Sequence, residues 1–206
     1  MESDGKTPRR TGRPLSFDRE EALEKAMLAF WESGYETTSI SELTAVMGVT
    51  APSLYAAFGN KERLFLEAMR RYAGDMAALE RTMAEAPTAR AAVAGMLRGA
   101  ALLYTGKTTP PGCLLASAAA TGSPGAAAVR EAVAAQRRGV RDIVLGRIEA
   151  DVAAGLLPPG TDAATLADLA LAVTQGMSVL ARDGASRERL LAVAATATAG
   201  WPASET

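Results

Sequence analysis

Apolar residues recur every three to four positions along most of this chain, the spacing that puts them on one face of a helix turned to a core. From Phe17 to Ser33, Ala22, Leu23, Ala26, Met27, Phe30 and Trp31 alternate with charged residues, and Gly34 closes the segment. An amphipathic helix is predicted there. Ile40, Leu43 and Met47 mark a shorter helix, opened by Ser39 and Glu42 at the S-x-x-E spacing of a capping box. Gly48 follows, where a chain leaving a helix takes positive φ. Thr50 can cap a third helix, and Pro52 falls in its first turn, where backbone donors have no intrahelical partner. Leu54 and Phe58 then point inward, leaving Ser53, Tyr55 and Ala56 outside. Asn60 caps a fourth helix with Leu64, Phe65, Ala68, Met69 and Tyr72 as its stripe, and its far end is expected around Met69 to Met76.

Breakers divide the rest. Residues 89–104 read as a helix, 105–112 as a Gly-Pro loop and 113–120 as a short apolar helix, ended by Thr121-Gly-Ser-Pro-Gly125. A long helix from Ala126 to Ala154 carries Val129, Val133, Val140, Val144, Ile148 and Val152 in steps of four or seven, with arginines and glutamates on other faces. Two more helices are predicted from Asp162 to Ala181 and from Ser186 to Ala199. With β-branched runs absent, the fold class is all-α with about nine helices.

Composition narrows the chemistry. At 206 residues and 49% hydrophobic content the chain can bury a core large enough for two domains. It has no histidine, which removes the commonest general base, the usual catalytic triads and most zinc sites. Its single cysteine allows no internal disulfide and no cysteine-rich cluster, so no metal and no cofactor are expected. Gly106-Lys-Thr-Thr resembles the end of a phosphate loop, but the first glycine of that motif would fall at Ala101, after helical sequence. The enzyme reading is set aside. No apolar run approaches the roughly 20 residues of a membrane span and the polar, basic start is no signal peptide, so a cytoplasmic protein is expected.

The segment from Ser39 to Phe58, two short helices joined by a glycine turn, reads either as a helix-turn-helix or as an ordinary helical hairpin in a core. Its neighbours decide for the first. The pattern Phe30-Trp-Glu-Ser-Gly-Tyr35, Thr37-Thr-Ser-Ile-Ser-Glu-Leu-Thr-Ala45, Gly48-Val-Thr50 and Leu54-Tyr-Ala-Ala-Phe-Gly-Asn-Lys-Glu-Arg-Leu64 resembles the TetR/AcrR family of bacterial one-component transcriptional regulators. That resemblance covers about residues 17–66; the remainder matches in length, helical character and order. It implies a flexible basic arm over 1–15, a helix-turn-helix DNA-binding domain over 16–60, and a helical effector-binding and dimerisation domain over 61–206. It also implies a homodimer that represses on near-palindromic double-stranded operator DNA and is released by a small-molecule effector. A helical carrier with an unused DNA module and an activator are the alternatives.

Charge does not steer this chain to DNA as a whole, because 22 basic residues meet 23 acidic ones. Placement must do so locally. The first helix collects Asp18, Glu20, Glu21, Glu24 and Glu32, read as a solvated face, whereas 37–61 carries only Glu42 as an acid. Arg9, Arg10 and Arg13 are similar to arms that lie in a minor groove; a disordered basic tail is the other reading. By chemistry, Thr38 and Ser39 go to phosphates, Thr50, Pro52, Ser53 and Ala56 to the groove, and Tyr55 and Lys61 to phosphates.

For the effector, adaptable apolar side chains are proposed at Met69, Tyr72, Met76, Met96, Leu103, Tyr104, Leu114 and Met177, each of which could equally be core. Arg98 and Arg137 could meet an anionic ligand or simply face water. Cys113 reads as an inert buried thiol before it reads as an oxidant sensor, since apolar surroundings disfavour the thiolate. Ala170, Ala172, Val173, Gly176, Met177 and Leu180, with Leu190, Leu191, Ala194 and Ala195, form stripes for a four-helix dimer interface or for the chain's own core.

Overall fold

The computed structural model describes residues 17–118 and 124–202, and among them every regular element is helical. The order is α1 (Arg19–Ser33), α2 (Ile40–Met47), α3 (Ala51–Phe58), α4 (Lys61–Ala73), α5 (Met76–Glu85), α6 (Ala89–Tyr104), α7 (Leu114–Ala118), α8 (Ala127–Ala153), α9 (Ala163–Arg182) and α10 (Arg187–Ala199). Nine of these described helices have eight residues or more, and α7 is a five-residue turn of helix. The arm residues Arg9, Arg10 and Arg13 lie outside the described residues.

Local chemistry sets the boundaries. Ser39 Oγ accepts the Glu42 N–H at 3.1 Å, Thr50 Oγ1 the Ser53 N–H at 3.3 Å and Asn60 Oδ1 the Arg63 N–H at 2.8 Å, so α2, α3 and α4 each begin on a side-chain cap. Gly48 closes α2 at φ 69°, ψ 32°, the left-handed region. A Cβ there would meet open space, so the cost of Gly48→Val is conformational alone. We expect about 1–3 kcal/mol of destabilisation. Urea unfolding of the variant beside Gly48→Asn, which tolerates that region, measures it, and equal stability of the two would deny the turn this role.

The fourth helix covers its apolar stripe but stops short of Met76, where its far end was expected. Gly74 ends α4, and Asp75 caps a separate helix by accepting the Ala77 N–H at 2.9 Å, so Met76 opens α5 rather than extending α4.

Helices α1 to α4 enclose one end of the core, where Phe30 meets Phe65 edge-on at 5.2 Å among Leu43, Leu54 and Leu64. The acidic face of α1 is bridged rather than merely solvated. Arg71 of α4 reaches Glu20 at 2.9 Å and Glu24 at 3.1 Å, while Arg19 meets Glu67 at 2.7 and 2.8 Å and covers the Phe58 ring at 4.5 Å. At the other end, α8 packs against α4, α5, α6 and α9, and α10 closes the bundle over α6 and α9. One charged residue on α8 departs from the expected pattern. Asp151 is buried, accepts the Ala89 N–H at 2.6 Å and pairs with Arg147, which donates to Met83 O at 2.9 Å and Ala86 O at 3.0 Å.

Helix α9 is 20 residues long, and its most apolar 18-residue stretch has a mean hydropathy of 1.4, enough by length and composition alone to cross a membrane, although Asp168, Gln175 and Arg182 interrupt any continuous apolar run. It packs instead on α6, α8 and α10, with Ala167, Ala170, Met177 and Ala181 turned into the core.

Candidate nucleic-acid interface and inner cavity

The outer face of α3 is small and lightly polar. Leu54 and Phe58 anchor the helix inside, which leaves Pro52, Tyr55 and Ala56 exposed and Ser53 half-exposed beside the Thr50 cap. Thr50 Oγ1 and Ser53 Oγ lie 2.9 Å apart in a hydrogen bond, so two hydroxyls mark the amino end of α3, where backbone N–H groups favour an anion. Ser39 does the same at the exposed start of α2.

Two sequence-assigned phosphate contacts have other partners. Thr38 is fully buried and its hydroxyl donates to Gly34 O at 2.6 Å, so it closes the loop after α1 and is not available to a phosphate. Lys61 is half-buried, with Nζ donating to Glu36 O at 3.3 Å and lying 4.7 Å from the Tyr35 ring centre. Burial lowers the Lys61 pKa against the opposing pull of Glu36 and Glu42. Arg63, exposed on the first turn of α4 and packed over Gly59, is a cation beside α3 that the sequence reading passed over. The signal was its position two residues beyond the matched lysine.

Between α4, α5, α6, α8 and α9 lies a cavity of about 230 Å³. Tyr72, Met76, Met96, Leu103 and Tyr104 line it, together with Cys113 and Arg137. The other three candidates do not: Met69, Leu114 and Met177 are buried in the core, because helical spacing tells which residues face inward without telling what they face. Arg98 lies at a separate surface hollow beside α5 and α6. The Tyr72 hydroxyl donates to Cys113 Sγ at 3.3 Å, and burial raises both the Tyr72 and Tyr104 phenols far above their usual range, so both remain neutral donors.

The cavity wall is joined to the first four helices. The Tyr72 ring meets Trp31 of α1 edge-on at 4.8 Å, Trp31 Nε1 donates to Gly112 O at 3.0 Å, and the next residue, Cys113, donates its N–H to Ser178 Oγ of α9 at 2.8 Å. Gly112 has φ 81°, and a Cβ there would lie 2.9 Å from Ser178 O, so the turn can approach α9 only as glycine. Arg182 completes the knot by donating to Trp31 O at 2.7 Å and to Ser117 Oγ.

Of the residues assigned to a dimer, Ala172, Gly176, Leu180 and Ala195 are exposed and Val173 and Leu191 half-exposed, whereas Ala170, Met177, Leu190 and Ala194 of the same stripes are buried. Leu169 and Val179, the latter 57% exposed, complete an apolar face on α9 that the sequence reading missed. Their spacing of seven and three from Ala172 and Gly176 was the available signal.

The families and relatives that this chain matches are named as regulators. The bacterial regulatory proteins of the tetR family match residues 22–68, and a tetracyclin repressor-like C-terminal domain matches residues 88–197. The HTH-type transcriptional repressor ComR of Escherichia coli (strain K12) is 38% identical over 197 residues, covering 93% of this chain and 92% of ComR. BdcR of the same strain, also an HTH-type transcriptional repressor, is 30% identical over 199 residues and 93% of each chain. A cysteine mutant of the TetR family transcriptional regulator CifR, complexed with 26-bp double-strand operator DNA, is similar with a TM-score of 0.87 at 43% identity, covering 93% of this chain and 100% of that one. Matches to both halves, and relatives this similar over nearly the whole length, lead to one conclusion: the chain belongs to the TetR family of bacterial regulatory proteins.

Proposed function

We propose that this protein is a cytoplasmic homodimeric repressor that binds near-palindromic double-stranded operator DNA and is released when a small-molecule effector enters the cavity. The observation that carries the reading is the outer face of α3, where hydroxyls and small apolar side chains stand clear of acidic residues at the amino end of a helix. ComR and BdcR, both named as repressors, and CifR in its operator complex support it. In this reading Ser39, Thr50 and Tyr55 hold phosphates, as does Lys61 through the Nζ donors not given to Glu36 O, and Pro52, Ser53 and Ala56 meet base edges, Pro52 and Ala56 offering apolar contact to thymine methyls. Arg9, Arg10 and Arg13 reach a minor groove.

A gel-shift with DNA flanking the protein's own coding region tests the reading, and absence of any shifted fragment would sink it. Lys61→Met should weaken binding to all sequences and reduce the slope of log affinity against log salt by about one unit. An unchanged slope would confine Lys61 to its clasp on Tyr35 and Glu36.

The exposed α9 face supports a second copy as its cover, and a two-fold dimer sets paired recognition helices about 34–36 Å apart for successive major grooves. Val179→Asp should shift the protein toward monomer in sedimentation and remove operator binding with it. A Val179→Asp protein that stays dimeric moves the interface elsewhere.

A further inference from the structure

Among the described residues the cavity wall carries a single formal charge. Arg137 of α8 is the only ionised side chain of the described lining, since the tyrosines are held neutral and no described carboxylate borders it. Other arginines of α8 have acidic partners: Arg138 meets Glu131 at 2.5 Å, Arg141 meets Asp168 at 2.5 Å, and Arg147 pairs with Asp151. Among the described residues Arg137 has none, although it is half-buried and therefore partly stripped of water. A guanidinium in that position has five donors and, among the described residues, no hydrogen-bonded acceptor to receive them.

Its neighbours are similarly underused. Gln136 donates its amide N–H to Met76 Sδ at 2.9 Å, a weak acceptor that a ligand oxygen would outcompete. The remaining wall is apolar, with Met76, Leu79, Met96 and Leu103 as its largest members. A cavity of about 230 Å³ holds roughly eight water volumes, a size that suits a compact occupant.

We propose that the cavity binds a compact amphipathic monoanion, its carboxylate or equivalent acid group held by Arg137 and Gln136 and its apolar body by Met76, Leu79, Met96 and Leu103. A dianion would leave one charge without a partner on this wall, and a neutral ligand would leave Arg137 half-buried and unpaired. The proposal rests on the cavity being the effector site, and its test separates the two.

The full-length protein is titrated calorimetrically near neutral pH with benzoate and hexanoate, and with benzamide and hexanamide as neutral counterparts of equal size. The acids should bind at least tenfold more tightly than their amides. Arg137→Gln should remove that preference by weakening the acids alone, and Arg137→Lys should restore part of it, because charge returns without the planar fork. Equal binding of acids and amides, binding by neither acid, or wild-type acid affinity in Arg137→Gln overturns the anion site. Acid binding that leaves operator affinity unchanged upholds the anion site and overturns the effector reading. Operator release by the amides alone does the reverse.

Discussion

Asp151→Ala is expected to cost about 3–5 kcal/mol of folding stability, the largest single effect expected in the C-terminal helices. The carboxylate is buried beside Arg147 and also accepts the Ala89 N–H at the start of α6, while Arg147 holds Met83 O and Ala86 O at the end of α5. Removing the acid strands a guanidinium with 13% of its side chain exposed and unties three helices at one point. Most of the cost is therefore that of an uncompensated charge, not the net worth of the pair. The double replacement Arg147→Met with Asp151→Leu separates the two, since it removes both charges and keeps volume. It should recover most of the loss. Urea unfolding of the two proteins decides the matter, and a double variant as unstable as Asp151→Ala would show that the hydrogen bonds to Ala89, Met83 and Ala86 dominate.

Trp31→Phe should uncouple effector from operator while leaving operator affinity in the absence of effector nearly intact. Trp31 is where the last turn of α1 meets the cavity wall: its ring is edge-on to Tyr72, its Nε1 donates to Gly112 O, and its carbonyl receives Arg182 from the end of α9. No basic residue of α1 itself lies in that last turn, so Arg182 is the cation at its carboxyl end. A ligand that displaces Tyr72 or the Gly112 turn must pull on α1 as well as α4. Phenylalanine keeps the ring contact and strands the Gly112 carbonyl, at a stability cost of about 1–3 kcal/mol. Coupling of the usual size, 5- to 150-fold or about 1–3 kcal/mol, should fall toward none. Operator titrations with and without an effector that releases the wild type measure it, and undiminished coupling in Trp31→Phe would route the signal through α4 alone.

The helix-turn-helix was legible because its instructions are local. Ser39, Thr50 and Asn60 cap within three residues, and Gly48 turns on its own backbone, so no distant contact is needed to place α2, α3 and α4. Residues whose roles depend on distant contacts were not legible. Thr38 and Ser39 are adjacent hydroxyls at a helix start, yet one is sealed under the loop and the other faces solvent, a difference made by Gly34 and the packing of α1. Asp151 belongs by type on a wet face, and only the ends of α5 and α6 give it a reason to be inside. Met69, Met76, Met96 and Met177 share the same helical spacing, but two line the cavity and two fill the core, which is decided by neighbours more than sixty residues away for Met76, whose methyl rests on Gly139.

The uncovered α9 face, with Leu169 and Val179 outward, has a consequence for dose. If a second copy covers that apolar area, self-association stabilises the folded chain and follows its concentration. If a second copy is the cover, operator occupancy below the dimer dissociation constant grows as the square of the amount of protein. Halving synthesis would then quarter the occupied operator wherever that operator is far from saturation.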